Sequence, residues 1–159
     1  MEYRGGERGD YPATAETLTD AEMDAMIDEL TAALALLTGS AVDRFSSVTR
    51  ERPPAGDMTR VTRPNQIVVG RYEGVRRQLN TIGLGGRASR PDGTITAAAI
   101  LLDADFDRTN SARRLLRMHE LGHALGYNHV ESLTSIMNPR IGPEPTDFDL
   151  RAASIAFQR

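Results

Sequence analysis

The chain has 159 residues, of which 40% are hydrophobic and 26% are charged, and its formal net charge is -3. This length suits one globular domain with a substantial core, and the composition is not that of a disordered protein. The acidic balance disfavours a nucleic-acid partner, and the absence of cysteine excludes disulfides and thiolate metal sites. The longest apolar run is too short for a membrane span.

An irregular lead-in is predicted for residues 1–16, followed by a single globular domain over residues 17–159. The polar N-terminal residues do not have the pattern of a signal peptide. We therefore expect either a cytosolic protein or part of a longer precursor whose N-terminus is truncated here.

The first predicted helix spans residues 20–38. Thr19 and Glu22 have the spacing of a capping box, in which each side chain accepts a hydrogen bond from the backbone N–H of the other residue. Apolar residues then recur every three or four positions, and Gly39 is a suitable helix stop.

Two buried strands are predicted next, over residues 66–70 and 95–102. A helical pattern runs from Ser111 to Gly126, and residues 146–149 have the form of another helix start. Helix, strands and then two helices in this order predict an α+β domain.

The three histidines of the chain, His119, His123 and His129, all lie within eleven residues. His119 and His123 are four apart, so on a helix they share one face and can reach a single zinc ion. Gly126 allows the backbone to turn, which returns His129 as a third ligand. Three protein ligands leave one position open, as in catalytic zinc sites, and Glu120 lies beside them as a free base.

Met137 follows His129 by eight residues, within the run Ser-Ile-Met-Asn-Pro. Alone, this methionine would be an ordinary core residue. After the pattern H-E-x-x-H-x-x-G-x-x-H, it resembles the methionine turn of the metzincin metallopeptidases, and most closely that of the matrixin branch and its bacterial relatives. The resemblance implies an apolar floor at Met137, beneath one catalytic Zn²⁺ held by the three histidines.

That resemblance further implies a zinc-dependent endopeptidase, which hydrolyses peptide bonds in proteins through a zinc-activated water with Glu120 as general base. The implied fold is a metzincin-like catalytic domain, with a small mixed twisted sheet, two long helices and a C-terminal helix. In this family an edge strand binds the substrate as an extended, antiparallel peptide. Residues 80–86 are the local candidate, with substrate-binding positions Ile82, Gly83, Leu84 and Gly85; a mobile loop is the alternative.

The sequence departs from the vertebrate matrixins in its metal-binding residues. No histidine remains for a second, structural zinc. Asp103, Asp105 and Asp107 could hold calcium, but the calcium-loop pattern is absent, and a solvated acidic turn before the active-site helix is the more ordinary interpretation. The first strand of the family fold is also not evident in residues 1–16.

Two other functions are compatible with parts of the pattern. A family of ribosome-maturation endoribonucleases uses three histidines at similar spacing and ends in a phrase similar to Gly126–His129, but it lacks the glutamate and the methionine turn. An inactive, zinc-stabilised binding module is the second alternative. The resemblance implies a secreted or cell-envelope protein, although this chain shows no signal peptide.

Overall fold

Four strands and five helices form the part of the chain that the computed structural model describes, namely residues 14–41, 45, 47–48 and 63–157. In chain order they are β1 (Thr14–Ala15), α1 (Asp20–Leu37), β2 (Ile67–Glu73), α2 (Val75–Leu79), β3 (Gly83–Ser89), β4 (Ile95–Asp103), α3 (Ala104–Thr109), α4 (Arg113–Ala124) and α5 (Asp147–Phe157). The predicted α+β class is confirmed. None of these helices is both long and apolar enough to cross a membrane.

The sheet is mixed and has the strand order β1-β2-β4-β3. The central strands β2 and β4 are parallel, whereas β1 and β3 run antiparallel to their neighbours. Strand β1 corrects the prediction that residues 1–16 are wholly irregular, since Thr14 pairs with Glu73 and Ala15 with Tyr72. Two residues are too few to show a strand pattern, and this pairing is distant in sequence. The rest of the predicted lead-in, residues 1–13, lies outside the described residues.

Helix α1 begins where the capping box predicted it. The Glu22 N–H donates to Thr19 Oγ1 at 3.3 Å, and the Thr19 N–H donates to the Glu22 carboxylate at 2.9 Å. The helix ends at Leu37, and Gly39 follows with a positive φ of 59°. Its buried face packs towards α4, the helix that carries His119 and His123.

Alternate residues of β4 pack in two different hydrophobic clusters, because successive side chains of a strand point to opposite faces. One face packs against α1 and α4 in the main core, and the other packs against α2 in a smaller cluster. The main core contains Met26, Ala33, Leu37, Ala98, Ile100, Leu102, Leu116, Met118, Leu121, Ala124, Ile136 and Met137. The smaller cluster contains Tyr72, Val75, Ala99 and Leu101.

The edge strand occupies residues 83–89, three positions further along the chain than the segment 80–86 predicted for it. Glycines near its start weaken the alternation that would mark its true bounds. The two central strands begin close to their predicted positions and end later than predicted. β2 extends beyond residue 70 to Glu73, and β4 extends by one residue to Asp103.

The prediction of a solvated acidic turn at residues 103–107 is wrong. Asp103 is buried and caps α3, accepting the Phe106 N–H at 3.1 Å. Asp107 is buried and ion-paired to Arg117, while Asp105 is exposed on α3. Two of these carboxylates have protein partners, and the three do not form a metal-binding group among the described residues.

Candidate metal centre and active site

The imidazole rings of the three histidines converge on one point. His123 Nε2 lies 3.2 Å from His119 Nε2 and 3.2 Å from His129 Nε2. Zinc–nitrogen bonds of about 2.0–2.1 Å at tetrahedral angles require nitrogen separations of about 3.3 Å. The three rings are therefore already spaced to hold one such ion, and they are the only metal-binding cluster found in the described residues.

Backbone carbonyls orient the two helical histidines. His119 Nδ1 lies 2.7 Å from the Ile136 carbonyl oxygen, and His123 Nδ1 lies 2.9 Å from that of Tyr127. A carbonyl can only accept, so each Nδ1 carries the proton and each Nε2 keeps its lone pair for a metal. Burial lowers the pKa of His119 and brings the pKa of His123 to about 4, which favours the neutral rings that metal binding needs.

Glu120 is buried between α4 and the edge strand. A Cβ built at Gly83 would lie 2.6 Å from Glu120 Oε1, and one built at Gly85 would overlap the Glu120 carbonyl oxygen. The absence of side chains at these glycines therefore lets β3 lie directly against α4.

Burial raises the pKa of the Glu120 carboxyl to about 7, against the opposing effect of a hydrogen bond from the Gly85 N–H, which lowers it. A cation on the neighbouring histidines would favour the carboxylate form and lower that pKa.

Met137 packs against the same helix at Gly122. A Cβ built at Gly122 would overlap the Met137 Sδ atom, so this thioether lies on the backbone of α4 between His119 and His123. Met137 is almost fully buried in the main core. It makes an apolar contact with the turn of α4 that carries His119 and His123.

Gly126 begins the loop that returns His129 to the site. Its φ of 107° belongs to the left-handed side of backbone space, which a residue with a Cβ rarely adopts. The following Tyr127 N–H donates to the Gly122 carbonyl at 2.9 Å, and the Tyr127 hydroxyl donates to the Leu37 carbonyl at 2.8 Å. The loop is therefore tied to both long helices.

The family model described as matrixin matches residues 69–156, which is more than half of the chain. The chain belongs to the matrixin family. This family consists of zinc metallopeptidases, and the three-histidine cluster of this chain is consistent with that metal. Comparisons with curated proteins and with solved structures gave no match.

Asp149 of this matrixin holds the turn that carries Ile136 and Met137. Its carboxylate accepts the Ile136 N–H at 3.1 Å and the Ser135 hydroxyl, and it also accepts the Thr146 N–H at 2.8 Å. The Ile136 carbonyl in turn accepts from His119. A side chain of α5 thus positions His119 through one intervening residue.

Asn138 connects this turn to the loop after His129. Its Nδ2 donates to the Val130 carbonyl at 2.6 Å and to the Leu133 carbonyl at 2.9 Å. The Val130 N–H donates to the Met137 carbonyl at 2.9 Å. These bonds fix the backbone directly beyond His129.

A buried ion network fixes the opposite face of α4. Arg117 donates from Nε and Nη2 to the two Asp107 oxygens at 2.8 and 2.7 Å, and from Nη1 to Glu29 at 2.8 Å. Arg71 of β2 approaches Asp107 at 3.7 Å. The network joins α1, α3, α4 and β2 two residues before His119. Sequence reasoning missed it because its members are far apart in the chain.

The four residues predicted to bind substrate have different surroundings. Leu84 packs in the small core beside α2, and Ile82 packs against the main core. Gly83 and Gly85 lie on β3 with their Cα atoms against Glu120. The close approach that these glycines allow is thus to α4. Ile82 and Leu84 are both only partly buried.

Proposed function

We propose that this matrixin is a zinc-dependent endopeptidase that binds one catalytic Zn²⁺ through His119, His123 and His129. The observation that carries the proposal is the convergence of three Nε2 atoms at zinc-binding separations next to a buried carboxyl group, that of Glu120. When bound, zinc supplies Lewis acidity that polarises the scissile carbonyl and makes water more acidic.

Glu120 acts as the general base in this proposal. It is not needed as a ligand, because three histidines already leave an open position of the catalytic kind. Its carboxylate accepts a proton from the attacking water and then delivers it to the leaving amine. The walls around it, from β3 and α4, keep the carboxyl in place and exclude bulk water from it.

The outer edge of β3 receives the substrate backbone. The Ile82 carbonyl points towards β4, since it accepts the Asp103 N–H at 2.9 Å. Hydrogen-bonding direction alternates along an antiparallel strand, so the backbone groups of Gly83 and Gly85 point to the edge. The Thr81 hydroxyl already donates to the Gly83 carbonyl. The Gly83 N–H and the Gly85 carbonyl remain available to pair with an extended peptide.

Met137 supports the site without binding the metal. Its Sδ atom lies on Gly122, which separates the two helical histidines along α4. A soft apolar side chain at this position fills the space beneath the rings while adding no competing ligand at the open position.

The test is cleavage of casein, an unstructured protein substrate. We expect cleavage by the zinc-loaded protein, loss of cleavage with a chelator, and recovery when zinc is restored. Absence of cleavage by protein that contains one equivalent of zinc would favour the binding module instead. Cleavage of structured RNA but not of casein would favour the endoribonuclease.

A further inference from the structure

Arg87 places a positive charge at the edge of the proposed substrate cleft. It lies on β3, two positions beyond Gly85, and is exposed. Its Nη1 atom donates to the His123 carbonyl at 3.2 Å, and its Nε atom lies close to Gly126. The guanidinium therefore lies at the C-terminal end of α4, next to a proposed zinc ligand.

This guanidinium has no carboxylate partner within the described part of the chain. The buried arginines Arg71 and Arg117 each contact two or more carboxylates. Arg87 donates a hydrogen bond to a backbone carbonyl, which uses one of its five N–H donors. An exposed guanidinium with donors to spare can bind a carboxylate of another molecule.

The direction of β3 decides which part of a substrate would meet Arg87. The strand starts at Gly83, beside the Glu120 carboxyl group, and runs past Arg87 towards Ser89. An antiparallel peptide runs the other way. Its residues on the N-terminal side of the scissile bond would therefore lie beside the later part of β3.

We infer that Arg87 gives this enzyme a preference for substrates with an acidic side chain on the N-terminal side of the cleaved bond. The inference rests on the proposed function and deepens it by naming a substrate class. A carboxylate at that place forms an ion pair with the free guanidinium donors. Ion pairs at exposed positions contribute little free energy, so the expected preference for Glu over Gln is on the order of threefold to fivefold.

A purely structural role for Arg87 makes a different prediction. A cation at the C-terminal end of a helix stabilises the carbonyl groups there, and Arg87 contacts that of His123. Loss of that contact would lower stability or slow the cleavage of every peptide to the same extent. It would not change the ratio between an acidic peptide and its neutral counterpart.

The experiment compares matched peptides that carry Glu or Gln at one of the three positions before the cleaved bond. We expect kcat/KM to be severalfold higher for Glu at one or more positions in the wild type. The ratio should fall to about one in Arg87→Gln and be largely kept in Arg87→Lys. Arg77→Gln removes the same charge from exposed helix α2, on the sheet face away from α4, and should keep the wild-type ratio.

A binding arm separates this inference from the proposed function. Zinc-loaded Glu120→Gln and Glu120→Gln/Arg87→Gln proteins are titrated with the same fluorescent peptides. Weaker binding of the Glu peptides alone in the double variant supports the inference, even if the wild type cleaves no protein. The inference would be overturned if replacing Arg87 by Gln left the ratio between Glu and Gln peptides unchanged, both in cleavage and in binding to the Glu120→Gln protein.

Discussion

The Sδ atom of Met137 lies against Gly122, in the space that a Cβ at that position would occupy. Gly122 stands between His119 and His123 on α4, so the contact sets how closely the turn after His129 approaches the histidine-bearing helix. A helix interior normally prefers alanine to glycine by about 1 kcal/mol. The glycine here is explained by that close approach.

Gly122→Ala should destabilise the protein despite its better helix propensity. Overpacking a buried contact costs about 1–3 kcal/mol, which exceeds the propensity gain. Thermal or denaturant unfolding should therefore show a net loss of stability. Gly86→Ala is the matched control, because a Cβ there meets nothing within 4 Å, and it should be neutral or slightly stabilising.

A double-mutant cycle links the Gly122 effect to Met137. In a Met137→Ala background the added methyl group of Gly122→Ala has room, so its cost should shrink or disappear. An equal cost in both backgrounds would mean that the two side chains do not compete for the same space.

Zinc content separates the roles of Met137 and His123. Met137→Leu keeps the volume and should retain about one equivalent of zinc, at a stability cost below about 1.5 kcal/mol. His123→Ala should lose most of the metal, because it removes one of the three proposed ligands. Metal analysis of the purified proteins is the measurement. Zinc loss from Met137→Leu as severe as from His123→Ala would contradict a purely supporting role.

The parts of the site that could be predicted from sequence are those encoded by short spacing. His119 and His123 share a helix face because they are four residues apart, and the Thr19–Glu22 capping box fixed the start of α1. Gly126 indicated the turn that returns His129, and that residue has the expected unusual φ. Each of these features depends on interactions within about a dozen residues.

Contacts between distant segments could not be predicted in the same way. Nothing in the sequence of β3 shows that its glycines face Glu120, or that Asp149 supports Ile136. The sequence predicts a solvated Asp107, because its partner Arg117 lies on another helix. The two-residue strand β1 was missed for the same reason, since only its pairing with β2 defines it.

Acid should weaken the ion pair between Glu22 and Arg71. Hydrogen bonds from Arg71, the largest effect, and from Thr19 lower the pKa of Glu22 from 4.5 to about 2. A lowered folded-state pKa adds stability that is fully present above pH 4.5 and is lost as the pH falls through about 2. Because Glu22 is partly exposed, we expect a contribution on the order of 1 kcal/mol.

Glu22→Gln isolates this charge, since glutamine can still complete the capping box. The stability difference between wild type and Glu22→Gln should be largest above pH 4.5 and should vanish towards pH 2 in denaturant unfolding. Asp28→Asn, at an exposed position of the same helix, serves as the control for loss of a surface charge. A wild-type advantage that does not change over this range would exclude Glu22 as a source of acid sensitivity.

The most direct test of the account is the rate of casein cleavage by zinc-loaded Glu120→Gln beside wild type. Glutamine keeps the shape of the side chain between α4 and β3 but cannot take a proton from water. Zinc content and folding should remain normal, while cleavage should slow by at least ~100-fold, since a general base typically contributes ~10²–10⁴-fold. Undiminished casein cleavage by this variant would contradict the proposed role of Glu120.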